Sequence, residues 1–216
     1  MVPAETGYSE SIDSARTEIL DAAAGCFMER GYAATSIDDV ARRLRATKGR
    51  IYHHFSSKAD LFAQIFRTGM DMNFAALEPV RRRPGSALTL WTDMARIHVR
   101  QMISTQAYQR VVWEGVEMHL RGATTPEQRS QLNELVEYRT RYSNIFREQM
   151  ARAREDGDMH FANLSIANQM MFMALNSPIF WYKPRPHESE RDIDSIIDQV
   201  VGFALGGLGG KAGGVT

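Results

Sequence analysis

The chain has 216 residues, is 44% hydrophobic, and carries 26 Lys plus Arg against 26 Asp plus Glu, so it can bury a core while its bulk charge draws it to no polyanion. Cys26 stands alone, which excludes an internal disulfide; the N-terminal residues lack the pattern of a signal peptide, and apolar runs such as 170–175 are too short to span a bilayer. The expectation is a cytoplasmic protein with no membrane partner.

Apolar residues recur at helical spacing and no long run alternates with period two, so the chain is predicted to be all-α, with about nine helices. Over 11–30, Ile12, Ile19, Ala23, Cys26 and Phe27 share one face, and Gly31 stops the helix. Thr35 and Ser36 can cap a second helix over 37–44, with Asp38 and Asp39 at the positive end of its dipole. Thr47 caps a third helix over 48–54, and Ser57 a fourth from 58 towards 80. Arg81, Arg82, Arg83, Pro84 and Gly85 then break the pattern. Further helices are expected over 86–104, 108–121, 126–156, 164–182 and 188–208, followed by a glycine-rich tail that composition predicts to be flexible. Three short helices with tight connections make a helix-turn-helix unit over 11–60, and 61–210 forms a larger helical bundle.

Residues 42–59 hold six Lys or Arg and no carboxylate, a local field suited to phosphate, although charge alone also describes an ordinary solvated face. The motif decides between them. The segment TSIDDVARRLRATKGRIYHHFSSK (35–58), and above all Thr47 through Phe55 with Ser57 and Lys58, closely resembles the DNA-binding signature of the TetR family of bacterial transcription regulators. The resemblance implies a homodimeric repressor that binds a palindromic double-stranded operator and releases it on binding a small-molecule inducer.

On that reading, Gly49 lets the third helix approach the DNA closely, while Lys48 and Arg50 beside it reach base edges in the major groove. Tyr52 meets phosphate with its ring along the Lys48 stem, and His53 reaches a base or a phosphate. Ile51 and Phe55 face the other way, towards Val40 and Leu44. Lys58 and the amides near Ser57, like Thr35, Ser36 and Thr47 at the earlier helix starts, are expected to hold phosphates. Arg45 stands where the family usually has glycine in a turn of positive φ; either the turn bears a strain of about 1 kcal/mol or its path differs, and Arg45 can add a phosphate contact.

Beyond the motif, Leu88, Trp91, Ala95, His98 and Met102 form one stripe, and Val112, Val116 and His119 another. Each histidine is either a hydrogen-bonded core residue or a ligand contact. Twelve methionines and many aromatics suit an adaptable apolar cavity among helices five to eight, with Met94, His98, Trp113, His119, Tyr142, Phe146, Met150, Met173, Phe180 and Trp181 as its candidate lining. Residues 172–208, with FWYKP and FALGGLGG, look like the C-terminal region of TetR-type regulators that sense acyl-CoA thioesters. That resemblance points to an acyl-CoA or another hydrophobic anion, with Arg100, Arg110, Arg139, Lys183 and Arg185 as possible partners for its phosphates.

The last helix carries too many apolar residues for an exposed monomer surface, so Ile193, Ile197, Val201, Gly202, Leu205 and Leu208 are expected at a two-fold interface, the alternative being burial within one subunit. Two other classes compete with this reading: a helical-bundle enzyme and a lipid-binding carrier without DNA activity. No GxSxG, HExxH, P-loop or GxGxxG spacing supports the first, and neither a cofactor nor a metal site is expected.

Overall fold

Ser36 begins helix α2 (Ile37–Leu44) with a reciprocal pair of bonds: its hydroxyl accepts the Asp39 N–H and the Asp39 carboxylate accepts the Ser36 N–H. The computed structural model describes residues 6–122 and 125–210, with side chains from 14 onward. Ile12 and the end of the glycine-rich tail therefore lie outside the described side chains and residues. Ten helical segments run through the described chain, and no strand occurs among the described residues.

One compact unit joins residues up to 69 with 107–136, whereas the sequence drew a border at 60. It contains α1 (Thr6–Ala34), α2, α3 (Lys48–His54), the start of α4 (Lys58–Arg81), most of α6 (Gln106–Arg121) and the start of α7 (Pro126–Glu155). The expected stripe of α1 is buried at Ile19, Ala23, Cys26 and Phe27, and it meets Phe62 of α4, whose ring lies 5.6 Å from that of Phe27. Gly31 interrupts α1 with φ 78°, a conformation that only glycine takes without strain, after which helical turns resume to Ala34. Gly115 of α6 is a close-approach position, since a Cβ there would lie 2.7 Å from the Phe66 ring of α4.

The other unit joins 70–106 with the residues from 137 onward. In it α5 (Ala87–Ser104) and α8 (Leu164–Asn176) pack against α10 (Glu190–Gly207). The helix expected over 164–182 ends at Asn176, and a short α9 (Pro178–Trp181) follows, because Pro178 has no N–H to continue the ladder. Arg100 of α5 bridges Glu190 at 2.9 Å and Asp194 at 2.5 Å on α10, and Arg96 pairs with Asp198. The apolar face of α10 turns inward. Ile197, Val201, Leu205 and Leu208 are 1%, 4%, 5% and 3% exposed, so these four are core residues of their own subunit and not the interface expected of them; Ile193 is half-buried and Gly202 exposed.

The centre of this unit is a ring cluster of His98, Tyr142, Phe146 and Phe172. His98 resolves as a core histidine: its Nδ1 lies 3.0 Å from the Tyr142 hydroxyl and its Nε2 2.9 Å from the Asn176 Oδ1. Since that oxygen only accepts, Nε2 carries the proton and Nδ1 accepts from the tyrosine. Burial pushes the His98 pKa down to about 4, against 6.5 for a free imidazole.

A depressed histidine pKa ties stability to pH in one direction. The folded chain holds this ring neutral while the unfolded chain protonates it below 6.5, so stability is complete above 6.5 and falls towards pH 4, by up to about 3 kcal/mol. Urea unfolding at pH 7, 5.5 and 4.5 is expected to show this decline, and His98→Gln, less stable throughout, is expected to lose that part of the slope. An unchanged slope in the variant would assign the pH dependence to other groups.

Candidate nucleic-acid interface

Helix α3 is seven residues long and two of its positions determine its orientation. Ile51 and Phe55, four residues apart, are 0% and 2% exposed, so the helix lies on its support by that edge. Lys48, Gly49, Tyr52 and His53 are consequently exposed and Arg50 half-exposed. Thr47 caps the helix by accepting the Arg50 N–H. A Cβ on Gly49 would meet only the Thr47 hydroxyl, 3.7 Å away, so the missing side chain leaves room outside the chain, where a ligand backbone can approach.

The turn before α3 has the positive φ that its family glycine would supply: Arg45 adopts φ 52° and ψ 39°, its N–H closing the end of α2. A non-glycine residue in this region costs about 1 kcal/mol. Its side chain is exposed, as are those of Arg42 and Ser36.

The basic run is less bare than its sequence. Lys48 pairs with Asp38 at 2.8 Å, Arg50 with Glu18 at 2.5 Å, Arg43 with Glu29 at 2.6 Å, and Arg42 with Asp39 at 2.9 Å. The hydrogen bond to Asp38 raises the Lys48 pKa. These acids lie outside residues 42–59, which is why a count over that stretch misses them. Such exposed pairs contribute little to stability, and phosphate can replace the carboxylates. Arg16 was also missed: its guanidinium covers the Phe55 ring at 4.6 Å and donates to the His54 carbonyl at 3.4 Å.

Two expected phosphate contacts are turned inward. The Thr35 hydroxyl is buried, 2.8 Å from the Gly31 carbonyl, so it closes the end of α1 while Ser36 alone caps α2. Lys58 donates to the carbonyls of Tyr32 and Thr35 at 2.8 and 2.9 Å and lies over the Tyr32 ring at 4.3 Å. A helix end has orphan carbonyls, and a nearby ammonium satisfies two of them here. Its charge is used inside the fold.

The residues expected to line one cavity are dispersed. Met94, His98, Tyr142, Phe146 and Met150 are buried in the second unit, whereas Met173, Phe180 and Trp181 of the same unit are 52%, 47% and 51% exposed. Trp113 and His119 belong to the first unit and are half-buried. No group of three or more metal-ligating side chains occurs among the described residues, nor any helix long and apolar enough to cross a membrane.

The sequence profile described as "Bacterial regulatory proteins, tetR family" matches residues 19–65, and that described as "Tetracyclin repressor-like, C-terminal domain" matches 92–208. The chain is 30% identical over 108 residues to the HTH-type transcriptional repressor KstR2 of Mycobacterium tuberculosis, covering 46% of this chain and 54% of that protein. It is 26% identical over 204 residues to the HTH-type transcriptional activator FasR of Mycolicibacterium smegmatis, covering 91% and 84%. The chain spans about half the length of the curated relatives it first matches. Among solved structures, the ketosteroid transcriptional regulator KstR2 of Mycobacterium tuberculosis superposes with a TM-score of 0.75 at 20% identity, over 91% of this chain and 95% of that one, a likeness of fold.

The placement of Lys58 reverses what its removal is expected to do. Lys58→Met deletes two charge-assisted hydrogen bonds and is expected to lower stability by about 1 to 3 kcal/mol in urea unfolding, while leaving the salt dependence of DNA binding unchanged. Parental stability with a flattened salt dependence would return Lys58 to the phosphate-contacting set.

Proposed function

The chain belongs to the TetR family of bacterial regulatory proteins, and from that premise we propose that it is a DNA-binding transcription regulator, with residues 11–60 binding operator DNA and residues 61–210 binding an effector and a second copy of the chain. The exposed face of α3 carries this reading, with Lys48, Gly49, Arg50, Tyr52 and His53 outward and Ile51 and Phe55 inward. Lys48 and Arg50 read bases; Tyr52, His53, Ser36, Arg45 and the α3 start at Thr47 hold phosphates. Relatives named as a repressor and as an activator are both similar to this chain, and we adopt repression, following the resemblance of the motif.

The outer sides of α8 and α10 support a dimer. Ile166, Met170 and Met173 form a stripe on α8 that is 64%, 65% and 52% exposed, and Phe203 on α10 is 77% exposed. A groove of about 410 Å³ runs between the two helices, bordered by Met170, Ala174, Phe203 and Gly207. Beside it Gly202 and Gly206 leave open space where a partner helix can approach. A two-fold mate presenting the same surface would cover both helices, and a palindromic operator calls for two copies of α3 about 34 to 36 Å apart, one turn of duplex.

The effector we propose is a hydrophobic organic anion, an acyl-CoA thioester being one form, supported by the resemblance of residues 172–208 and by the aromatic core of α5, α7 and α8. Each buried methylene adds about 0.8 kcal/mol, so potency rises with chain length. A coupling of roughly 1 to 3 kcal/mol is enough to release the operator.

With an operator selected from random duplexes, Lys48→Ala and Arg50→Ala are each expected to weaken specific binding by roughly tenfold to a hundredfold and non-specific binding far less. Glu18→Gln, which frees Arg50 from its carboxylate, is expected to tighten it. Fluorescence anisotropy measures all three, and parental affinity throughout would mean that α3 is not the reading helix.

For the dimer, Met170→Asp combined with Phe203→Asp is expected to give a monomer of parental helicity, because both side chains are exposed in the subunit. Val201→Asp is expected to unfold the chain, since it buries a carboxylate inside it at a cost of several kcal/mol. Light scattering with circular dichroism separates the outcomes. A double variant that remains dimeric would place the interface elsewhere.

A further inference from the structure

Arginines 96 and 100 on α5 are each matched by a carboxylate of α10. Arg139 on α7 is not: its guanidinium lies 5.8 Å from the centre of the Phe172 ring, half-buried, with no carboxylate in ion-pair range among the described residues. A guanidinium carries five donors and keeps its charge at any ordinary pH, so one drawn partly out of water beside a buried ring without an acceptor is unfavourable. Burial lowers its pKa, the mark of a charge short of solvent and partners.

The neighbouring groups do not relieve it. His98 is neutral and spends both nitrogens on Tyr142 and Asn176. Ser143 lies one turn beyond Arg139 on α7 and accepts from the Asn168 amide at 2.9 Å, and Asn168 lies one turn before Phe172 on α8. The Asn168 Oδ1 is itself buried without a partner, as is the indole N–H of Trp91 on α5. Arg139 on α7 and the Asn168 carbonyl on α8 are thus both left without an internal hydrogen-bond partner, where native cores leave very few.

We propose that Arg139 anchors the carboxylate of a hydrophobic monocarboxylic acid, whose apolar body lies along the α7–α8 seam beside Phe172. The forked guanidinium matches two carboxylate oxygens, and one cation balances one negative charge. The phosphates of a CoA thioester carry several charges and call for several cations, and the neutral His98 adds none. Partial exposure of Arg139 gives the anion access. This inference rests on the proposed effector-binding role and narrows the effector to the free acid.

Calorimetry on the intact protein without DNA tests it, with decanoate, decanol and decanoyl-CoA as probes against the parent, Arg139→Lys and Arg139→Met. Decanoate is expected to bind the parent roughly tenfold or more tighter than either other probe. Arg139→Met is expected to lose decanoate by roughly thirtyfold, to keep decanol, and to melt a few degrees higher when ligand-free, because an unpaired charge has gone. Arg139→Lys falls between. A parent that prefers decanol or the thioester overturns the proposal, as does an Arg139→Met that melts lower and keeps its decanoate affinity. Operator binding, measured separately, decides the regulator reading: failure of the parent to bind any DNA would remove that reading and leave the calorimetric result on Arg139 standing.

Discussion

The burial of Ile51 and Phe55 constrains everything at the DNA-facing end of this protein. Two apolar side chains one helical turn apart, each contributing about 1.5 to 3 kcal/mol when fully buried, determine which edge of a seven-residue helix faces its support. A helix this short is unstable alone. Its orientation therefore comes from that edge and from the Thr47 cap, and the exposure of Lys48, Gly49, Tyr52 and His53 is the geometric remainder.

Around this helix the fold spends charge in two different ways. Lys48 and Arg50 hold carboxylates in solvent, where the pairing is weak and exchangeable, so their charge stays available to a polyanion. Lys58 and Thr35 instead satisfy the carbonyls at the end of α1, which the Gly31 break would otherwise leave open. Residues of similar chemistry within one motif thus divide between exchangeable pairing at the surface and internal support according to whether an orphan backbone group lies within reach.

The second unit shows the same division on a larger scale. Its core histidine is neutral and fully bonded, which ties stability to pH without requiring a ligand. Arg139 lies close to the same rings and has no such completion. On α10 the inner side packs against α5 and α8, while the outer side keeps Phe203 and a row of glycines in solvent, so apolar groups lie on both sides of one helix.

Much of this was legible in the sequence, because helices, caps and faces depend on residues within four positions of one another. The caps at Ser36 and Thr47, the break at Gly31, the positive φ at Arg45 and the inward pair Ile51 and Phe55 are all of that kind. What distant residues decide was not legible: that Glu18 faces Arg50, that Tyr32 and Thr35 claim Lys58, that Val201 and Leu205 rather than Phe203 face α5 and α8, and that Trp113 and His119 lie in a different unit from His98. Periodicity gives the faces of a helix but not which face meets which neighbour, since that choice is made by packing across tens of residues, and only the tertiary structure records it.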